Sequence, residues 1–331
     1  MPTVILISGA GGFLGSQLAA KLQEATPDAK LILVDIVAPN VDKTDDVLPL
    51  QSDLTDPNQC DKLFETNFGI PETVYCMHGI MSRGSEDNFD LGIKVNVDSV
   101  RNLLESTRNH CPASGPPIKF IFTSSLAVYG GPLPDVIQPN TIATPESAYG
   151  MGKLTSELFI NEYTRRGFVD GRILRLPTVV VRPGKPSNAT SAFFSGIIRE
   201  PLQGLESVCP IGNSIDSPDL DLAVWVASPS TTIINLAHAR EVPASKILSH
   251  TRVICLPGFT TTVREELLAL EAVGGKQALQ FVRFQDDPTN RRVVSSWPAR
   301  FDNSYGLGLG FSVDEGGMEP LVRQFVRSLG L

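Results

Sequence analysis

The first half of the chain alternates short apolar runs with amphipathic stretches. Runs rich in β-branched residues predict buried strands at residues 4–8, 31–34, 74–77, 119–123 and 172–176. Between them, apolar residues recur at helical spacing at residues 13–25, 57–64, 95–109 and 148–165. Apolar strands that alternate with helices of crossover length are typical of parallel sheets. The pattern therefore predicts an α/β fold, a doubly wound parallel sheet with helices on both faces.

The regular alternation of apolar runs and amphipathic stretches ends at Pro177. Pro and Gly interrupt the later segments, as at Pro183-Gly184, and such punctuation predicts loops rather than further strand–helix repeats. We expect residues 1–177 to form the sheet domain. Residues 178–331 are expected to form mainly a smaller C-terminal lobe, with segments that return to the sheet.

Composition narrows the classes of partner. The 331 residues are 42% hydrophobic and 19% charged, which allows a large core. A net charge of −8, spread along the chain, disfavours nucleic acid and anionic membranes and favours a small molecule. No apolar run approaches the ~20 residues that span a bilayer, and the N-terminus lacks the basic flank of a signal peptide, so we expect a soluble cytoplasmic protein. The five cysteines and four histidines lack metal-ligand spacing, and no metal site is predicted.

A glycine-rich turn follows the first predicted strand. It reads Gly9-Ala10-Gly11-Gly12-Phe13-Leu14-Gly15, and a helix starts inside it. Glycines so spaced let the backbone turn tightly and approach a pyrophosphate, whose charge the N–H groups of the helix start bind. The turn therefore predicts a dinucleotide site of the Rossmann type, formed by Gly9, Gly12, Phe13, Leu14 and Gly15.

Asp35 ends the second predicted strand. A carboxylate there accepts hydrogen bonds from the adenosine ribose hydroxyls and repels a 2′-phosphate. The residues that follow, Ile36, Val37 and Ala38, supply no cation for such a phosphate. We therefore predict NAD as the cofactor rather than NADP.

A tyrosine and a lysine four residues apart carry the candidate chemistry. Tyr149 and Lys153 lie on one face of a predicted helix, where an ammonium and a positive nicotinamide ring both favour the phenolate. The helix begins some two dozen residues after Ser124 and Ser125, which close an apolar strand whose end faces the cofactor. One of these two serines is predicted to hold the reacting oxygen, and the other to cap the loop.

These features together resemble the extended short-chain dehydrogenase/reductase family, which includes NAD-dependent epimerases and dehydratases. The resemblance implies that Tyr149 donates and accepts the proton, that Lys153 tunes it and binds the nicotinamide ribose, and that Ser125 holds the reacting oxygen. It also implies further cofactor contacts, at Asp53, Leu54, Asn96 and Pro177. The chain departs from the family pattern at Ser8, where threonine is commoner, and at Cys76, where many members have histidine.

Longer stretches resemble a narrower branch, the D-erythronate 2-dehydrogenases. They lie at residues 88–92, 166–172, 174–178, 181–186, 197–202 and 296–298. This resemblance implies oxidation of the C2 hydroxyl of a four-carbon sugar acid to a 2-oxo acid. A dehydratase is disfavoured, because its Asp-Glu pair after the strand-end threonine is replaced here by Ser124-Ser125.

A small hydroxy acid needs a cation for its carboxylate, and a planar guanidinium gives the best bidentate match. Arg182 is the first candidate and Lys185 and Arg199 are the next, although Arg182 could equally tie its loop to the core. Ser82 and Thr178 are candidates for substrate hydroxyls. His78 is interpreted as a polar residue of the cofactor cleft rather than a second acid/base.

Three other functions stay open at this point. A UDP-sugar epimerase shares the same catalytic residues, a reductase of a specialised metabolite would use the same site, and a non-catalytic NAD-sensing regulator would not need those residues. The resemblance also implies a homodimer, formed through the helices near residues 95–109 and 148–165.

Overall fold

The computed structural model describes residues 2–184 and 189–329. Their strands are β1 (Val4–Ser8), β2 (Lys30–Asp35), β3 (Val47–Gln51), β4 (Thr73–Cys76), β5 (Lys119–Ser125), β6 (Asp170–Leu176), β7 (Thr178–Val179), β8 (Ser207–Cys209), β9 (Ala223–Ala227), β10 (Val253–Cys255), β11 (Phe259–Thr262) and β12 (Val282–Phe284).

The helices of the same residues fill the connections between these strands. They are α1 (Phe13–Ala25), α2 (Pro57–Lys62), α3 (Ser82–Asp87), α4 (Phe89–Ile93), α5 (Ser99–Asn109), α6 (Ala148–Arg165), α7 (Ala192–Arg199), α8 (Pro229–His238), α9 (Val263–Leu279), α10 (Pro288–Ser295), α11 (Ser304–Gly308) and α12 (Met318–Ser328).

Seven strands form the central sheet, in the order β10-β6-β5-β4-β1-β2-β3. Every neighbouring pair is parallel. One apolar cluster packs α1 and α8 on one face of the sheet, and a second packs α2, α5 and α6 on the other. The predicted doubly wound α/β fold is therefore confirmed.

The predicted elements of the first half agree with the observed ones within two residues, with one exception. The stretch predicted as a single helix at 95–109 is α5 preceded by a π-helical turn, Lys94–Asp98. The edge strands β3 and β10 were not marked by an apolar run, because β3 contains Pro49 and β10 has three residues. β10 comes from the second half and pairs with β6.

The second half builds its own apolar cluster. Residues of α7, β9, α9 and α12 pack together there, and β7, β9 and β11 form a separate small sheet. Among the described residues, no helix has both the length and the apolar character needed to cross a membrane.

Candidate active site

The carboxyl ends of β1, β4, β5 and β6 open onto a cavity of about 310 Å³. Twelve of the residues predicted for the site line it: Gly9, Gly12, Phe13, Leu14, Gly15, Ser82, Ser125, Tyr149, Lys153, Pro177, Thr178 and Arg182. The parallel sheet explains this convergence, because equivalent ends of neighbouring strands meet at one edge.

The glycine turn at this edge is tight for steric reasons. Gly9 has a φ of +73°, and a Cβ added to it would lie 2.8 Å from the His78 nitrogen. A Cβ on Gly15 would collide with the Gly9 carbonyl oxygen, so this glycine lets α1 pack close to β1. Gly12 precedes α1 and offers no side chain to its first N–H groups. A helix start without a side-chain cap suits a phosphate.

Asp35 lies beside the turn at the end of β2. Its carboxylate accepts hydrogen bonds from the Gly11 nitrogen at 3.0 Å and from the Ile36 nitrogen at 2.7 Å. Ile36 and Val37, which follow, are exposed apolar side chains. These contacts hold the carboxylate in place next to the glycine turn, as ribose binding requires.

Three residues implied by the family resemblance do not line the cavity. Asp53 accepts hydrogen bonds from Thr55, which lower the pKa of its carboxyl, and Leu54 is buried. Asn96, in the π-helical turn, exchanges two hydrogen bonds of 3.0 Å with the backbone of Ile80. Asn96 thus fixes the loop after β4, and cofactor contacts at these three positions stay predictions.

Tyr149 and Lys153 lie one turn apart at the start of α6. The Lys153 ammonium donates to the Thr123 carbonyl at 2.9 Å and lies 5.7 Å from the centre of the Tyr149 ring. A Cβ on Gly150 would collide with the Ala127 carbonyl oxygen, so only glycine lets α6 approach the end of β5 this closely. The approach places the phenol and the ammonium against the strand-end serines.

The two serines have different surroundings. Ser124 is buried and donates to the Glu157 carboxylate at 2.5 Å. Both serines line the cavity. The Ser125 hydroxyl oxygen accepts a hydrogen bond from the Ala127 nitrogen at 3.1 Å, and a hydrogen bond between Ser125 and Tyr149 lowers the pKa of that phenol. This geometry favours Ser125 as the residue that faces a reacting oxygen.

Burial governs the ionisation of the pair. It raises the pKa of Tyr149 to about 12, against the opposing effects of the Ser125 hydroxyl and the Arg182 guanidinium. It lowers the pKa of Lys153 to about 8, against the opposing charges of Cys76 and Glu157. The Arg182 guanidinium is a protein cation that lowers the pKa of Tyr149, and the corresponding role of Lys153 stays a prediction. Burial therefore favours the protonated phenol of Tyr149 near pH 7.

Arg182 lines the cavity, and its charge acts on Tyr149. Its backbone is fixed, because its nitrogen donates to Ser195 at 2.9 Å and its carbonyl accepts from Arg199 at 2.8 Å. Within residues 2–184 and 189–329, its side chain has neither a salt bridge nor a hydrogen bond. Burial and the like charge of Arg199 lower the pKa of Arg182, and Tyr149 opposes that shift. An anion from solution would relieve this unpaired charge.

The other predicted substrate residues divide into two groups. Ser82 and Thr178 line the cavity, and the Ser82 hydroxyl lies 3.3 Å from that of Thr190. Arg199 does not line it, because its guanidinium is buried and pairs with Glu200 at 2.5 Å. Lys185 lies outside the described residues.

His78 lines the cavity, and both of its ring nitrogens lie within hydrogen-bond distance of serine hydroxyls. Its Nδ1 lies 2.7 Å from the Ser8 hydroxyl and its Nε2 lies 2.7 Å from that of Ser99. Burial lowers the pKa of His78 to about 3, with a smaller contribution from Lys153. The ring is therefore neutral near pH 7, which fits a polar residue of the cleft better than a second acid/base.

Sequence reasoning missed part of the cavity wall. Met77, Met81, Ser191 and Trp297 also line it. Trp297 comes from the second half, over a hundred residues after Tyr149, and no local pattern marks it as a site residue. Its only signal in the sequence was the resemblance at residues 296–298.

The chain is similar to a known protein family, to two dehydrogenases and to a solved structure. A family model described as the NAD dependent epimerase/dehydratase family matches residues 5–217. D-erythronate dehydrogenase of Haemophilus influenzae is 39% identical over 326 residues, covering 97% of this chain and 98% of that protein. D-erythronate dehydrogenase of Cupriavidus necator is 39% identical, with 99% of each chain covered. The solved structure of a nucleoside-diphosphate-sugar epimerase from Agrobacterium tumefaciens matches with a TM-score of 0.88 and 32% identity, over 99% of this chain and 95% of that one.

Proposed function

The chain belongs to the NAD dependent epimerase/dehydratase family, and on that premise we propose that it is an NAD-dependent dehydrogenase of a small sugar acid. It oxidises the C2 hydroxyl of a D-erythronate-like substrate to a 2-oxo acid. The family and the dehydrogenase relatives imply a nicotinamide cofactor. Similarity over nearly the full length to two D-erythronate dehydrogenases supports the substrate class.

The observation that carries the substrate assignment is the free guanidinium of Arg182. It lines the same cavity as Tyr149, and within the described part of the chain no carboxylate pairs with it. A bidentate hydrogen bond to a substrate carboxylate would satisfy it and fix the acid in one orientation. The hydroxyl on C2, the carbon bonded to that carboxylate, would then lie near Tyr149.

The choice of NAD rests on the end of β2. Asp35 is positioned by two backbone N–H groups, and exposed Ile36 and Val37 follow it. The carboxylate would accept hydrogen bonds from the ribose hydroxyls and repel a 2′-phosphate. The glycine turn and the start of α1 would bind the pyrophosphate.

In the reaction, Ser125 donates a hydrogen bond to the C2 oxygen and the Tyr149 phenolate accepts the hydroxyl proton. When bound, oxidised nicotinamide supplies the acceptor for the hydride that leaves C2. Lys153, held by the Thr123 carbonyl, and Arg182 place two positive charges near the phenolate. Together with the positive nicotinamide ring they offset the burial that keeps Tyr149 protonated.

The test is NADH formation, followed by its ultraviolet absorbance, with purified protein, NAD and a panel of four-carbon sugar acids. Turnover of D-erythronate or a close epimer, with a strong preference for NAD over NADP, is the expected result. NADH binding without turnover of any acid on the panel would contradict the substrate assignment.

A sugar-nucleotide epimerase is the second candidate, because the similar Agrobacterium tumefaciens protein is named a nucleoside-diphosphate-sugar epimerase. It would need cations for a nucleotide diphosphate. Arg199, one of the candidate substrate cations, is paired with Glu200. Product analysis with UDP-sugars separates the two functions, since an epimerase interconverts them without net NADH formation.

We also propose that the two halves of the chain have separate roles and that the protein forms a homodimer. Residues 1–177 would bind NAD and carry Ser125, Tyr149 and Lys153, and residues 178–331 would mainly bind substrate. The helices near residues 95–109 and 148–165 would form the dimer interface. An exposed Leu158 on α6, 63% accessible, supports this choice of face.

A further inference from the structure

A buried polar network lies behind the catalytic end of the sheet. Arg175 on β6 forms two hydrogen bonds with the Glu157 carboxylate on α6, at 2.9 Å and 2.5 Å. The same carboxylate accepts from the Ser124 hydroxyl at 2.5 Å, and Arg175 also donates to the Tyr129 hydroxyl at 2.6 Å. All four side chains are buried, and only 1% of Glu157 is accessible to solvent.

The network connects the elements that carry the proposed chemistry. Glu157 lies one turn after Lys153 on α6, so it and the catalytic residues share one helix. Ser124 lies between Thr123, whose carbonyl binds the Lys153 ammonium, and Ser125, which lines the cavity. The ion pair therefore joins α6 to the ends of β5 and β6 at the point where the site is formed.

The pair also contributes charge. The Glu157 carboxylate raises the pKa of Lys153, against the burial that lowers it. A buried carboxylate is costly unless it is paired and hydrogen-bonded, and Arg175, together with Ser124, meets that need. A buried pair of this kind gives little stability over an apolar replacement, so a role in geometry or electrostatics explains it better.

We propose that Glu157 and Arg175 are positioning residues for the dehydrogenase reaction, holding the end of β5 against α6 so that the Thr123 carbonyl keeps the Lys153 ammonium and the Ser125 hydroxyl faces Tyr149. The expected effect on kcat rests on the proposed function. The expected effect on the titration of Lys153 does not depend on the substrate.

The test compares wild type with the double variant Glu157→Gln/Arg175→Met, which removes both charges and avoids an unpaired buried ion. Glu157→Gln alone, which leaves Arg175 unpaired, is the second variant. The first readout is the titration of Lys153 by NMR of protein labelled with ¹³C at the lysine ε-carbons, with Lys153→Arg assigning the signal. The second is kcat with the best sugar acid, alongside the Kd for NADH.

We expect the Lys153 midpoint to fall by at least about half a pH unit in Glu157→Gln, because the negative charge near Lys153 is lost while that of Arg175 remains. In the double variant, loss of the Arg175 charge offsets part of this fall. We expect kcat to fall at least about tenfold while the NADH Kd changes less than about threefold. A matched control is Asp170→Asn, at the opposite end of β6, which breaks buried pairs with Arg172 and Arg252 at 2.7 Å and 2.6 Å. That variant should be less stable than wild type, with the Lys153 midpoint and kcat unchanged.

An unchanged Lys153 midpoint in folded Glu157→Gln, together with an unchanged kcat in the folded double variant, would overturn the inference and leave the pair a purely structural one. If wild type turns over no sugar acid, the proposed function fails, and the Lys153 titration still decides the electrostatic role of Glu157.

Discussion

Tyr149 is held in surroundings that favour the neutral phenol. Burial raises its pKa to about 12, and only Ser125 and Arg182 act in the opposite direction. A base with a high pKa loses its proton more readily as pH rises, so oxidation should accelerate with increasing pH. The reverse reduction, which needs the phenol as an acid, should slow over the same range.

Replacing Tyr149 by Phe tests this role. We expect Tyr149→Phe to lower kcat by about 10²–10⁴-fold, the usual contribution of a general acid/base, with little change in NADH affinity. The residual rate should no longer rise with pH. Tyr163→Phe, on the same helix but hydrogen-bonded to Glu105, is the matched control. Loss of NADH binding in Tyr149→Phe would contradict the assignment.

Arg182 makes a prediction about substrate recognition. A hydrogen bond between charged groups contributes about 1.5–3 kcal/mol, so Arg182→Met should lower kcat/KM for the sugar acid about 10–100-fold. The corresponding amide, which lacks the charge, should be affected much less, and the preference for acid over amide should shrink. Arg292→Met, at an exposed arginine of α10, is the control. Equal losses with acid and amide would indicate a structural role.

The arginines also show what a sequence can and cannot predict about single residues. Arg182 and Arg199 were both candidates, and only their partners separate them. Arg199 pairs with Glu200, the next residue, because Glu200 lies at the end of α7 where the chain leaves the helix. Adjacent residues do not face each other within a helix, so the sequence alone gave no reason to expect this pair.

At the scale of elements, α6 is the part of the site that sequence reasoning predicted best. Its bounds follow from apolar spacing and from Ser147, whose hydroxyl oxygen accepts a hydrogen bond from the Gly150 nitrogen at 3.0 Å as an N-cap. The π-helical turn before α5 was missed, because it replaces one hydrogen-bond pattern by another without changing the apolar spacing.

The distance between α6 and β5 depends on Gly150. A methyl group there would collide with the Ala127 carbonyl oxygen and lie 3.0 Å from the Pro145 side chain. Gly150→Ala should therefore move α6 away from Ser125 and lower kcat more than about tenfold, at a stability cost of about 1–3 kcal/mol. Gly308→Ala, in α11 with open space around it, should keep full activity. The measurement is kcat together with urea unfolding, and a fully active Gly150→Ala would show that the close approach is not required.

At the scale of the whole molecule, the site needs both halves of the chain. The first half supplies the glycine turn and the catalytic residues, and its periodic pattern made these predictable. The second half supplies Ser191, Trp297 and the segment that carries Arg182. Its elements are short and irregular, and contacts between residues far apart in sequence decide which of them reach the cavity. Such contacts leave no local pattern to read.

The core of the second half contains a carboxyl group that links overall stability to pH. Glu266 on α9 is completely buried, and neither of its carboxyl oxygens has a hydrogen-bond partner among the described residues. Burial raises its pKa well above the usual value. The folded protein therefore keeps Glu266 protonated at a pH where the unfolded chain has released that proton.

The sign of the effect follows from this difference. The stability associated with the proton is fully present below the pKa of unfolded glutamic acid, about 4.3, and is lost as pH rises toward the folded pKa. Glutamine has the same shape and no proton to lose. Glu266→Gln should therefore match wild type below about pH 4 and exceed it in the free energy of unfolding at pH 8, by up to about 1.4 kcal/mol for each pH unit between the two pKa values. Urea unfolding across this range measures the difference, with the acidic end as the internal control, and parallel curves for the two proteins would show that Glu266 finds a partner in solution.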